Sequence, residues 1–171
     1  MSRRFRHIIL SFVLATWFLS GCDNTPVIEV QSKTDPYKEN MINANKNIAG
    51  AEDTQIKSYI DRRGWEMTQL SNGEWIEVTK PGKGQKISYE DSVSVSYRLE
   101  ALNGAVFYEN QEETFVVGRH QTTVGLDRAV MEFQHGTEAR VVLPSSLAYG
   151  IVGDGDRVPG RAVLIYYLKV K

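Results

Sequence analysis

The sequence predicts an α+β fold: a twisted antiparallel β-sheet wrapped on one short α-helix, with an N-terminal signal segment and a helical extension ahead of it. Three observations carry this expectation. Val93, Val95, Tyr97 and Leu99 alternate with Ser92, Ser94, Ser96 and Arg98, the period of a half-buried strand. Leu126, Ala129, Val130 and Phe133 fall at i, i+3, i+4 and i+7, one face of a single amphipathic helix. Asn72-Gly73 and Asn103-Gly104 stand between apolar segments, where a tight primed turn needs positive φ. Several antiparallel strands with one inserted helix make α+β.

The first residues are of another kind. Arg3, Arg4, Arg6 and His7 form a basic region, and Ile8–Leu19 is an apolar run broken only by Ser11 and Thr16. That run is short for a bilayer span and suits a signal segment. Leu19-Ser20-Gly21-Cys22 then resembles the bacterial lipoprotein box, with the only cysteine of the chain at the lipidated position. A lone cysteine has no internal disulfide partner. Removing residues 1–21 takes away three arginines and no acid, leaving 150 residues with a formal charge of −4. Such a mildly acidic body gives no electrostatic footprint for nucleic acid. The expected location is the bacterial cell envelope, on a membrane surface, periplasmic or outward-facing.

Residues 22–34, polar and acidic with Pro26, read as a tether, and residues 35–64 as a helical extension. Asp35-Pro36 is a good helix start. Tyr37, Met41, Ala44 and Ile48 share a face, and Gly50 is expected to end the helix. A second helix from about Asp53 places Ile56, Tyr59 and Ile60 on one side, with Gly64 as its C-cap. These helices can serve as a spacer, pack on the main domain or on each other, or pair with a second copy as a homodimer.

The main domain is expected over residues 65–171. Trp65–Leu70 and Trp75–Thr79 read as a hairpin, and Val93–Leu99 as the clearest strand. Ala105–Tyr108 and Thr114–Val117 read as two further strands, the helix stops at Gly136, and Ala139–Leu143 and Ala162–Val170 complete the sheet. Pro81-Gly82-Lys83-Gly84 lacks the spacing of a phosphate loop. His120 and His135 have no ligand-type neighbours at metal spacing, and Asp154-Gly155-Asp156 lacks a calcium-loop pattern and reads as a solvated loop. Ser145-Ser146 is not flanked as a nucleophile elbow. Neither a cofactor nor a metal is expected.

The last third carries Gly118, Gly125-Leu126-Asp127, Gly136, Leu143-Pro144, Ala148-Tyr149-Gly150 and Val158-Pro159 in that order. From about Trp75 to Lys171 this pattern resembles the FKBP-type peptidyl-prolyl cis–trans isomerases. The resemblance implies a pocket between helix and sheet, with proline-containing polypeptides as clients. It implies Tyr97, Phe107 and Tyr149 as catalytic residues. Thr122, Thr123, Leu126, Val158 and Tyr166 are implied to bind substrate, with the Thr123 N–H donating to a substrate carbonyl and Leu126 at the floor. The lipoprotein box and the preceding helices are also similar to isomerase lipoproteins associated with gliding motility in Bacteroidetes, from which no motility role is assigned.

Four positions depart from the family pattern. Tyr108 follows Phe107 where the family usually has Asp, which removes a polar partner of the site; restoring an acid there is expected to raise activity. Leu126 replaces a large aromatic and widens the pocket, Glu113 stands where an aromatic often sits, and Arg157 precedes Val158 where an apolar residue is common. These changes argue against high activity and against tight binding of macrolide ligands. Two functions remain: an isomerase assisting the folding of envelope or secreted proteins, and a non-catalytic client-binding module using the same pocket.

Overall fold

The structure is a computed structural model that describes residues 35–171; the expected signal segment, Cys22 and the tether lie outside the described residues. A single helix, α1, spans Pro36–Arg63. It runs straight through Gly50, so the expected break into two helices is wrong. A mid-helix glycine costs about 1 kcal/mol, and the helix downstream has enough packing to offset that. Ile56, Tyr59 and Ile60 are buried there, each worth about 1.5–3 kcal/mol when fully removed from water. The first half is different: Tyr37, Met41 and Ala44 are exposed. The spacer and docking readings therefore divide along the helix.

The sheet has six antiparallel strands: β1 (Thr68–Gln69), β2 (Trp75–Lys80), β3 (Ser92–Ala101), β4 (Val106–Val116), β5 (Glu138–Leu143) and β6 (Leu164–Val170), in spatial order β1-β2-β5-β6-β3-β4. Thr68 pairs with Ile76 and Gln69 with Trp75 across the Asn72-Gly73 turn, where Gly73 takes φ 106°. The short helix α2 spans Val124–Ala129 and passes into one 3-10 turn, Val130–Glu132. Phe133, in extended conformation, ends it before Gly136. All four residues of the expected apolar face are buried.

Ala105–Tyr108 and Thr114–Val117 are not separate strands. They are the two ends of β4, joined through bulges. Opposite β3 the pairing goes from Tyr97–Gln111 to Leu99–Tyr108, then to Glu100–Val106, so β4 carries extra residues. A bulge re-aims side chains, and here Phe107 and Tyr108, adjacent in sequence, both pack on the same core cluster.

One face of the sheet is buried, and the other is covered only where α1 lies over β2, β5 and β6. One face, with Val93, Val95, Tyr97, Val141, Leu164 and Tyr166, packs with α2. The other, with Val142, Ile165 and Tyr167, meets Ile56, Tyr59 and Ile60 of α1 together with Trp65 and Trp75. Period-two alternation along β5 and β6 sends neighbouring residues to opposite layers. Tyr59 and Tyr167 each meet Trp65 edge-on, at 5.4 and 6.2 Å between ring centres, closing this second layer.

Candidate active site

The expected site residues come from five segments, and the fold packs most of them into one apolar cluster. Tyr97 lies on β3, Phe107 on β4, Thr122 and Thr123 at the entrance to α2, and Leu126 inside α2. Tyr149 and Val158 lie on the connection between β5 and β6, and Tyr166 is on β6. Tyr97, Leu126, Val158 and Tyr166 share one apolar cluster, with Phe107 and Tyr149 half-buried against it. Thr123 joins them through Tyr166, their hydroxyls 3.5 Å apart.

The eight residues differ in accessibility. Leu126 is 0% exposed, Tyr166 1%, Val158 4%, Thr123 6% and Tyr97 7%. They form the wall and floor behind the surface, while Phe107, Thr122 and Tyr149 keep accessible area. The opening is a cavity of about 330 Å³ lined by Glu113, Gln121, Thr122, Thr123, Val124, Ala148 and Tyr149. Thr123 caps α2 with φ −62° and ψ 143°, and its carbonyl accepts the Asp127 N–H at 2.9 Å. Its own N–H has no acceptor among the described residues. That leaves it available to a ligand carbonyl, the role the family pattern implies.

The aromatic wall is held at an angle. The rings of Tyr97 and Tyr166 meet edge-on, 5.1 Å between centres and 62° between planes. The Tyr97 hydroxyl donates to Glu113 Oε2 at 3.3 Å. Burial, then the Glu113 charge, pushes the Tyr97 phenol above its ordinary value. Burial does the same to Tyr149, reinforced by the Glu113 and Asp154 carboxylates and opposed by hydrogen bonding with Tyr166. Burial also raises Tyr166 far above the ordinary phenol range. All three hydroxyls therefore stay protonated at neutral pH, and that of Tyr97 donates to Glu113.

The rim corrects two expectations. Asp154 is not a solvated loop acid. Its Oδ1 accepts the N–H groups of Asp156 (2.9 Å), Arg157 (3.0 Å) and Val158 (2.8 Å). Its Oδ2 accepts the Tyr108 hydroxyl at 2.5 Å. Burial works to raise the Asp154 carboxyl, but the bonds from Tyr108 and the backbone outweigh it and hold the group below its ordinary value. The carboxylate expected to be missing after Phe107 is thus supplied from the facing loop, with Tyr108 as its partner. That loop needs Gly153, at φ 84°: a Cβ there would lie 2.2 Å from the Val158 carbonyl. Arg157 stacks over the Tyr108 ring at 5.3 Å and donates to the Phe107 carbonyl at 3.3 Å, so it braces the rim.

Sequence reasoning also missed Glu52. This buried carboxylate of α1 accepts two hydrogen bonds from Ser145, at the start of the segment that carries Tyr149. The available signal was an acidic residue in register with Ile56 and Tyr59 on a helix face.

Fold and site together define a small α+β domain with an aromatic pocket at the start of its one short core helix. Residues 83–171 match the family model of the FKBP-type peptidyl-prolyl cis-trans isomerases. The chain therefore belongs to the FKBP-type peptidyl-prolyl cis–trans isomerase family. It is 30% identical over 104 residues to the probable FKBP-type peptidyl-prolyl cis-trans isomerase FkpA of Neisseria meningitidis serogroup B, covering 58% of this chain and 38% of that protein. It is 31% identical over 107 residues to FK506-binding protein 4 of Rhizopus delemar, covering 61% of this chain and 28% of that one. It thus spans well under half the length of these curated relatives. Among solved structures, a peptidyl-prolyl cis-trans isomerase from Pseudomonas syringae pv. tomato superposes with a TM-score of 0.61 at 25% identity, covering 73% of this chain and 92% of that one.

Proposed function

We propose that this protein is an active peptidyl-prolyl cis–trans isomerase acting on envelope or secreted polypeptides, anchored to a membrane through lipidated Cys22. The observation that carries the activity is the packing of Tyr97, Phe107, Tyr149, Val158 and Tyr166 in one apolar cluster, with Tyr149 lining the cavity beside the unengaged Thr123 N–H. Rotation about an X–Pro bond faces a barrier of about 18–20 kcal/mol, most of it lost amide resonance. An apolar wall favours the twisted, less polar amide. Donors fixed before the substrate arrives, the Thr123 N–H and the Tyr149 hydroxyl, hold its carbonyls in register. Catalysis is then preferential binding of the twisted form, with no proton transferred.

The anchor rests on Leu19-Ser20-Gly21-Cys22 after a basic and an apolar segment. Among the described residues no helix is long and apolar enough to cross a membrane. A pair of acyl chains contributes about 0.8 kcal/mol per buried CH₂, enough for stable attachment.

The test is an isomerisation assay on the full chain in detergent with proline tetrapeptides, beside Tyr149→Phe. A rate above the uncatalysed one that falls in the variant supports the reading. Pocket-dependent binding without turnover would move the protein to the client-binding class. Labelled fatty acid should enter the wild type and not Cys22→Ser; equal labelling would remove the anchor.

A further inference from the structure

Glu113 occupies a place where the strand pattern calls for an apolar side chain. On β4 it pairs with Val95, and Phe115 pairs with Val93. Cross-strand partners share a face, and Val93, Val95 and Phe115 are all buried in the core cluster on the pocket side. Glu113 is therefore a carboxylate on the inner face, at the mouth of the 330 Å³ cavity, half-buried beside Thr122 and Tyr149. Its neighbour Glu112 faces the other way and pairs with Lys171 at 2.5 Å. Glu113 has no such partner. Among the described residues no lysine, arginine or histidine lies within ion-pairing distance of it, and its one hydrogen bond is from Tyr97 to Oε2. The nearby rim cation, Arg157, is already engaged by Asp156 at 3.6 Å and by the Phe107 carbonyl.

A half-buried carboxylate without a countercharge is costly to keep, and a ligand that brings the charge recovers that cost. We infer that Glu113 makes this pocket selective for segments in which a lysine or arginine is adjacent to the proline. This rests on the isomerase reading above and deepens it by naming the substrate class. The ammonium or guanidinium reaches the free Oε1 edge of Glu113 while the prolyl ring packs on the aromatic wall. Tyr97 holds Oε2, so the carboxylate presents a fixed edge to the cavity.

The experiment uses the full chain in detergent and two tetrapeptide series, Ala-Xaa-Pro-Phe and Ala-Phe-Pro-Xaa. Xaa is lysine, norleucine, which has the same stem without the charge, or glutamate. Exchange NMR measures turnover and a fluorescence titration measures binding. In at least one series lysine should exceed norleucine by roughly threefold to tenfold and glutamate should fall below it. Glu113→Gln should bring the lysine-to-norleucine ratio close to one, and raised salt should shrink it in the wild type. An equal ratio in wild type and Glu113→Gln overturns the proposal, as does a wild type without a lysine preference. If Glu113→Gln fails to fold, the salt dependence of the wild-type ratio decides. If no peptide is turned over, norleucine included, the isomerase reading fails on its own, and the lysine-to-norleucine binding ratio still decides the selectivity.

Discussion

Glu52 on α1 and Ser145 after β5 are joined by a pair of hydrogen bonds across 93 positions of sequence. The Ser145 N–H donates to Oε2 at 2.9 Å and its hydroxyl to Oε1 at 2.6 Å, and both residues are buried. The Ser145 carbonyl in turn accepts the N–H groups of Ala148 (3.2 Å) and Gly150 (2.8 Å), which bracket Tyr149. The helix ahead of the family domain thus holds the segment that presents the Tyr149 hydroxyl.

Glu52→Ala should lower stability by about 1.5–3 kcal/mol, the range for hydrogen bonds to a charged group. Glu52→Gln keeps an acceptor and should lose less. Urea unfolding measures both. If Glu52 positions Tyr149, kcat falls in the alanine variant at unchanged peptide affinity and partly recovers in the glutamine variant. A variant that is less stable but kinetically unchanged would limit Glu52 to holding the fold together.

Tyr149→Phe should keep the fold and lose part of the rate. One neutral hydrogen bond contributes about 0.5–1.5 kcal/mol, which is roughly twofold to tenfold. Phe107→Ala should cost more, because it removes accessible wall that desolvates the amide. Wild-type rates in both variants would show that this pocket does not carry the reaction.

Tyr108 and Asp154 should behave as a coupled pair. Tyr108→Phe and Asp154→Asn each free the 149–159 loop from the β4 rim, and the double variant should be less impaired than their sum. The coupling expected is about 1.5 kcal/mol, the low end for a hydrogen bond to a charged group. A thermodynamic cycle by chemical denaturation measures it; strict additivity would contradict the link. Tyr108→Asp, which the family pattern suggests as a gain, would set a second carboxylate against Asp154 and should lower activity.

The buried phenols set an alkaline limit. Burial raises Tyr97, Tyr149 and Tyr166 above 10.0 in the folded chain, and lifts Tyr167 to about 12. Below 10.0 these groups are protonated in both folded and unfolded chains, and their contribution to stability is complete. Above it the unfolded chain ionises first, so stability falls as pH rises toward the folded values. Unfolding midpoints from pH 8 upward, with phenolate absorbance, should show a stable plateau and then a decline beyond pH 10. A phenolate step below pH 10 that disappears in Tyr149→Phe would contradict the burial of that group.

The sheet, the short helix and the family were legible in the sequence because they rest on local pattern. Alternation in Ser92–Arg98, the 126-129-130-133 spacing and the Asn-Gly turns each report one element and one buried face. The order of the motifs around them implied that Tyr97, Phe107, Tyr149 and Tyr166 belong together, and the fold packs them in one cluster. The rest depended on the tertiary structure. A glycine at 50 signals a break, yet α1 continues because Ile56 and Tyr59 find a sheet to cover, a fact held by Val142, Ile165 and Tyr167 elsewhere in the chain. The apolar run Leu164–Leu168 of β6 was the local trace of that second layer, since a strand segment buried on both faces loses its alternation. Bulges in β4 turned Phe107 and Tyr108 to one side, and only then could Tyr108 meet Asp154 from a loop 46 positions away. Glu52 met Ser145 by the same route. Local sequence determines which face of an element is apolar, because periodicity is a property of neighbours. Which distant polar groups satisfy one another is decided by the packed fold, because burial penalises an unpaired polar group and topology decides which partner is within reach.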